Sequence, residues 1–350
     1  MLADGSMTAP QGSVKRIKGP ATLEDVAQEA GVSRALVSLV MRQKPQVSEE
    51  RRARVLAAAA KLGYRPNAIA RSLASRRSST VGVLLNDLHN PFFAEINDGV
   101  EQVARHRGYR ILLSTGGRSR AREEAALEAF LESRVDGLIL VSTLLTEAKI
   151  NQAASMAPVV LVSRTSRSPV VDSVLTDDVL GAELAVAHLI ELGHRRIVHI
   201  DGGRNPGSRP RRKGYERAMD AAGLPRLVVP GDFSESSGAE AAGRLLALAE
   251  VPTAVLTSND MAAAGAMDRL AEAGYSIPGD ISVVGYDNTS LAQMRQVNLT
   301  TINQPREEMG RLAMQAVLER IEDGRTERVS HVTTPTLVVR GSTGPALGFS

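Results

Sequence analysis

Between Ser33 and Leu39 the chain places two hydroxyls, a guanidinium and a leucine at spacings that one helix would turn towards a common side. That set is equipped for recognition rather than for making or breaking bonds. The Arg34 fork matches the N7 and O6 acceptors of guanine, a contact that discriminates between bases by ~1–3 kcal/mol. Ala35 and Ser38 sit beside it, and Leu39, one turn on, touches a thymine methyl but cannot hydrogen-bond a base. Thr22 and Ser33 each open a helix, where free backbone amides suit a phosphate oxygen. Nothing of comparable order exists for catalysis. There is no cysteine, hence no thiol chemistry, and His188 and His194 lie six residues apart with no third ligand. No glycine-rich phosphate loop follows a strand, and no Ser/His/Asp set falls in a recognisable context. The expectation is no catalytic residue, no metal and no cofactor.

A reading side chain works only if a rigid element presents it, and residues 22–64 supply three. Thr22 and Asp25 form a capping box, after which Leu23, Val26, Ala27 and Ala30 recur at helical spacing until Gly31 stops the helix. Val32 plugs the junction and Ser33 caps a second helix with the stripe Leu36, Val37, Val40 and Met41. Ser48 caps a third, buried through Val55, Leu56, Ala59 and Leu62. A second helix that follows the first through Gly31-Val32-Ser33 is free to lie in a major groove with its N-terminal residues at the base edges. Residues 1–80 hold 14 basic against 6 acidic side chains, and the remainder 28 against 33. A basic arm on an acidic body is the footprint of a nucleic-acid partner.

From Val81 the rhythm becomes strand, loop, helix. Apolar runs at Val81–Leu85, Arg110–Leu113, Gly137–Val141, Val159–Val162, Ile197–Ile200, Leu227–Val229, Ala254–Leu256 and Ile281–Val284 alternate with amphipathic stretches such as Ala94–Arg107. This predicts parallel α/β architecture, in two doubly wound lobes because eight units overfill one sheet. The expected organisation is a disordered tail over 1–20, a helical headpiece over 21–65, a short helix and linker over 66–79, a body over 80–340 and a tail over 341–350. No apolar run is long enough to span a bilayer and no export signal opens the chain, which predicts a cytoplasmic protein without a membrane partner.

The residues Thr22-Leu-Glu-Asp-Val-Ala-Gln-Glu-Ala-Gly-Val-Ser33, Leu62-Gly-Tyr-Arg-Pro-Asn67, Ala70-Arg-Ser-Leu-Ala74, Asn90-Pro-Phe-Phe93, Ser258-Asn-Asp260 and Val284-Gly-Tyr-Asp287 resemble the LacI/GalR repressor family. The resemblance runs from Thr22 to Val339. It implies an all-α helix-turn-helix headpiece on a two-lobed α/β body of the type I periplasmic-binding-protein kind, with crossovers near 176–178, 290–304 and 323–332. It further implies a homodimeric transcription regulator, a repressor, that binds double-stranded DNA at a pseudo-palindromic operator under the control of a small molecule, by default a sugar. Asn67, Ala70, Leu73 and Ala74 then belong to a hinge helix, with Leu73 wedging into the minor groove at a cost of a few kcal/mol offset by added contacts; the competing reading makes Leu73 a linker residue. Leu39 and Arg42 depart from the family's usual polar reader and terminal asparagine, which turns Arg42 towards phosphate.

In such a body the ligand lies outside the carboxyl ends of the strands, between the lobes. Phe92 and Phe93 follow the first strand, although Phe93 suits the core equally well. By resemblance Phe233 is a stacking aromatic and Arg211 a fork for hydroxyls or an anionic group, the alternative being that Arg211 shares a solvated basic face with Arg209, Arg212 and Lys213. Asn259 and Asp287, each just past a strand, suit sugar hydroxyls. At the first crossover Thr176, Asp177 and Asp178 stand where many relatives place a single ligand aspartate.

Overall fold

The computed structural model describes residues 21–41, 45–65 and 77–347. The chain separates into two compact units, Met1–Ser78 and Ser79–Ser350.

The described residues of the first unit form three helices: α1 (Leu23–Ala30), α2 (Arg34–Met41) and α3 (Glu49–Lys61). Local chemistry sets the first turn. The Thr22 hydroxyl accepts from the Asp25 amide at 3.3 Å while Asp25 Oδ2 accepts from the Thr22 amide at 2.8 Å, and Gly31 closes α1 with φ 64°. The Ser33 hydroxyl accepts from the Leu36 amide at 3.2 Å and so opens α2. Val26, Val37, Val40 and Val55 form the centre of a small core. Two expectations fail on α3. Leu56 is 49% exposed, and Ala58 takes its place inside, because the helix is rotated to bury Val55, Ala58 and Ala59. Ser48 stands at the N-cap without a side-chain hydrogen bond.

The second unit holds two parallel sheets. The N-terminal lobe contains β1 (Thr80–Leu85), α4 (Pro91–His106), β2 (Arg110–Thr115), α5 (Arg120–Glu132), β3 (Gly137–Val141), α6 (Glu147–Ala154), β4 (Val159–Val162) and β5 (Val171–Thr176). The chain then crosses into α7 (Asp178–Glu191), β6 (Ile197–Ile200), α8 (Ser208–Ala221), β7 (Leu227–Val229), α9 (Glu235–Leu246), β8 (Ala254–Thr257), α10 (Asp260–Glu272), β9 (Ser282–Asp287), α11 (Ser290–Gln293) and β10 (Thr300–Asn303). It returns through α12 (Arg306–Glu322) and β11 (Ser330–Thr333) and ends in the second lobe with β12 (Thr336–Val338). The sheet orders are β11-β5-β4-β3-β1-β2 and β12-β10-β9-β8-β6-β7, with only the β10–β12 pair antiparallel. Val81, Val83 and Leu85 face α4 and α12, whereas Leu84 faces α5 and α6, so alternation along one strand feeds two cores.

All eight expected strands are present, and β5, β10, β11 and β12 are additions. Their sequences hide them. The β5 run is broken by Asp172, which is buried because Arg320 and Arg325 reach it at 2.6 and 2.8 Å; they hold its carboxyl below the usual range against the opposing effect of burial. The edge strands β11 and β12 are short and half exposed. The lobes are joined at 176–178, at 304–305 and at 334–335. The second lies at the end of its expected stretch. The third falls after 323–332, because those residues are still completing β11 in the first lobe.

The segment set apart as a tail also needs correction over its described part. Ser342 is buried, its carbonyl accepts from the Val283 amide at 2.8 Å, and the Ala346 amide donates to Leu192 at 2.8 Å. His194 binds Thr253, Ser282 and the Gly344 carbonyl, each at 3.0 Å, and His188 binds Thr343 at 3.0 Å. These histidines anchor the C-terminal segment. No described helix is long and apolar enough to cross a membrane.

Candidate functional site

The headpiece presents one candidate face. Val37 and Val40 turn one side of α2 into the core, which leaves Arg34 and Ala35 exposed, Ser38 half-buried and Leu39 39% exposed. Thr22 and Ser33 are exposed at the starts of α1 and α2. Among the described residues Leu39 is not part of the headpiece core. Arg42, Asn67, Ala70, Leu73 and Ala74 lie outside the described residues.

The second unit brings its six candidates to one place. Phe92, Phe93, Arg211, Phe233, Asn259 and Asp287, separated by almost 200 positions, all line a cavity between the lobes of about 500 Å³, open space at its mouth included. Parallel strands achieve this convergence because their carboxyl ends point to a common edge.

From the first lobe, Asn90 caps α4 by accepting from the Phe92 amide at 3.0 Å, which aims both phenylalanines at the cavity in an edge-to-face pair 5.3 Å apart. Phe93 serves both readings, lining the cavity and joining the core. From the second lobe, Phe233 sits at φ 74°, and a side chain at Gly202 would meet its ring at 2.0 Å. Asn259 spends its amide locally: Oδ1 caps α10 at the Ala262 amide and Nδ2 donates to the Phe233 carbonyl at 3.0 Å. Its side chain therefore holds the aromatic wall.

Arg211 is buried, unlike Arg209, Arg212 and Lys213, so it is not part of a solvated face. Nε donates to Asp178 at 3.0 Å, and Nη1 donates to the Ser258 carbonyl and lies 3.5 Å from Asp287. The guanidinium stacks 3.9 Å above Tyr286 and 5.3 Å from the Phe233 ring. Burial disfavours its charge, but Asp178 and Asp287 more than offset that and raise its pKa. Asp287 takes φ 111° and receives the Gln304 amide at 2.6 Å; burial pushes its carboxyl up to about 8, with Arg211 opposing. Asp178 is thus spent on Arg211, and Asp177 caps α7 through the Leu180 amide.

Sequence reasoning missed several lining residues. Asn86, Ser142 and Ser163 are each the first residue after a strand, so a search for polar residues at that position would have found them. Beneath Asn86 lies Glu123, fully buried, which accepts from the Thr143 hydroxyl and the Leu144 amide at 2.7 Å; burial raises its pKa. Arg118, at φ 61°, also lines the cavity and reaches across to the other lobe, where it meets the Asp232 carbonyl at 2.6 Å and carboxylate at 2.9 Å. Only the folded arrangement of the two lobes reveals that clasp.

The arrangement combines aromatic walls with a donor fork, a carboxylate and hydroxyls. It can bind a small polar molecule, and no nucleophile–base pair is assembled on the cavity wall. Comparison with known proteins agrees in kind. Residues 22–67 match the family described as bacterial regulatory proteins, lacI family, and residues 186–343 match a periplasmic binding protein-like domain. The chain is 35% identical to an HTH-type transcriptional repressor PurR of Photobacterium profundum, over 92% of this chain and 98% of that one. It is 37% identical to the ribose operon repressor of Escherichia coli K12, over 92% and 99%. A solved lac repressor dimer bound to operator and the anti-inducer ONPF aligns with TM-score 0.83 at 30% identity, over 93% of this chain and all of that one.

Proposed function

The chain belongs to the lacI family of bacterial regulatory proteins, and on that premise we propose that it represses transcription by binding an operator, with its affinity set by a small molecule held between the lobes of the second unit. The observation that carries this reading is the convergence of six distant side chains on one interlobe cavity while α2 exposes Arg34, Ala35 and Leu39. The ligand class is a sugar or sugar derivative. Stacking surfaces at Phe92 and Phe233 suit the apolar face of a sugar ring, and Arg211 and Asp287 offer a donor and an acceptor to its hydroxyls. The relative named a ribose operon repressor supports the same class.

DNA binding requires two copies, since one headpiece makes too few contacts to be selective and pairing two raises affinity through effective concentration. Exposed Leu112 and Leu113 on the edge strand β2 give a second copy an apolar surface to cover. A ligand that prefers one lobe arrangement shifts operator affinity by its differential binding energy, ~1–3 kcal/mol.

A gel shift against the DNA upstream of the chain's own coding sequence tests the first half. Full-length protein retards that DNA, and protein lacking residues 1–78 does not. Calorimetry with D-ribose tests the second half, with Asp287→Ala expected to abolish the heat. Operator binding by the truncated chain, or D-ribose heat unchanged in Asp287→Ala, contradicts the corresponding half.

A further inference from the structure

We propose that a groove flanking the effector cavity is a binding site for a phosphoryl group, carried either by the effector itself or by a separate anion. The groove encloses about 1910 Å³ with its open space and shares Ser163, Asn205 and Pro206 with the effector cavity, so the two are continuous. Its walls carry four arginines: Arg120 and Arg164 from the first lobe, Arg204 and Arg209 from the second. Two aspartates face them. Asp178 is already matched by Arg211, and Arg164 lies 3.6 Å from Glu147, which among the described residues leaves Asp177 against three arginines without an ion pair.

The arginines are not equivalent. Arg164 Nη1 is fixed by the Thr143 and Leu145 carbonyls at 2.7 and 2.6 Å, with Glu147 3.6 Å from Nη2, and Arg120 Nε is fixed by the Leu144 carbonyl at 2.9 Å. These contacts hold two forks in position at little further entropic cost. Among the described residues Arg204 and Arg209 have neither an ion-pair nor a hydrogen-bond partner for their guanidinium groups. Like charges brought to one groove from two lobes oppose closure, and a polyvalent anion reverses that sign. Ser163 Oγ, buried and without a partner, stands where groove and cavity meet and adds an uncommitted hydroxyl on the path between them. A sugar ring stacked by Phe233 thus has a route for a phosphoryl substituent towards the arginines. The effector-borne form rests on the sugar reading above; the groove as an anion site does not.

The test uses full-length protein and its Arg204→Ala/Arg209→Ala variant, whose changed side chains are exposed. Sodium pyrophosphate, compared with sodium chloride at equal ionic strength, should raise the melting temperature of the parent and lose most of that effect in the variant. The headpiece is common to both proteins, so the difference isolates the groove. In calorimetry, D-ribose 5-phosphate binding about tenfold tighter than D-ribose, as two charge-assisted hydrogen bonds allow, assigns the phosphoryl group to the effector. Equal affinities alongside a retained pyrophosphate effect assign it to a free anion. A pyrophosphate shift that is absent, or the same in both proteins, overturns the proposal. A silent D-ribose titration with the pyrophosphate effect intact sinks the sugar assignment alone.

Discussion

The reading face of the headpiece and the wall of the interlobe cavity are built on opposite plans. On the headpiece, Arg34, Ala35, Ser38 and Leu39 come from two turns of one helix, are turned outward, and depend on their neighbours only through the valines behind them. In the cavity, Phe92, Arg211, Phe233 and Asp287 come from two helices, a loop and a strand end in two lobes, and each is held by something else: an asparagine cap, an aspartate, a second asparagine, a glutamine. A surface that meets a large, regular polyanion is served by side chains in water. A site that must surround a small molecule has to bury polar groups, and every buried polar group needs a partner. Damage to the headpiece face should therefore change binding alone, whereas damage to the cavity should change binding and stability together.

The largest effect is expected where that coupling is tightest. Asp178→Ala leaves buried Arg211 with Asp287 as its remaining carboxylate, and breaking such a pair costs about 3–5 kcal/mol. Denaturant unfolding of the 79–350 fragment should show that loss, and a change below about 1 kcal/mol would mean that Arg211 finds another partner or water. On the headpiece, Arg34→Ala should weaken operator binding by ~1–3 kcal/mol with no shift in headpiece melting. A lowered melting temperature there would erase the contrast between the two regions.

A gentler probe is pH. Burial raises Asp287 from the ordinary carboxylate range to about 8, so the folded state binds its proton more tightly than the unfolded state does. Through that window the contribution of Asp287 makes stability fall as pH rises, at no more than about 1.4 kcal/mol per pH unit. Asp172 and Asp232, both lowered, act in the opposite sense in acid. Asp287→Asn should flatten the decline between pH 4 and 8, and an unchanged slope would place the titration elsewhere. The smallest effect belongs to the clasp. Arg118 and Asp232 are 32% and 52% exposed, so Arg118→Ala should cost the closed form about 0–1 kcal/mol, read as a few-fold faster ligand release in stopped flow. Stability lost on the scale of Asp178→Ala would show that Arg118 belongs with the buried network.

The same contrast explains what could be read beforehand. The capping box at Thr22, the left-handed stop at Gly31 and the valine stripe of α2 are all local, so the headpiece elements follow from residues within four positions of each other. The eight apolar strands were legible for the same reason. Leu56 was misread because helical spacing permits two adjacent faces and packing selects one. β5 was missed because Asp172 looks solvated until Arg320 and Arg325, some 150 residues away, are folded against it. The C-terminal segment looked like a tail because nothing local binds it; His188, His194 and Val283 do.

By itself the sequence determined the headpiece helices, the eight apolar strand runs, and which residue types stand at their ends, since all of these rest on short-range periodicity and capping. Tertiary structure alone decided which of those polar residues are spent on one another. That Asn259 braces Phe233 and that Asp178 belongs to Arg211 depend on distant elements packed together within the second lobe, and that Arg118 reaches Asp232 depends on the two lobes meeting. Buried hydrogen bonding is satisfied globally, and no window of sequence contains both partners.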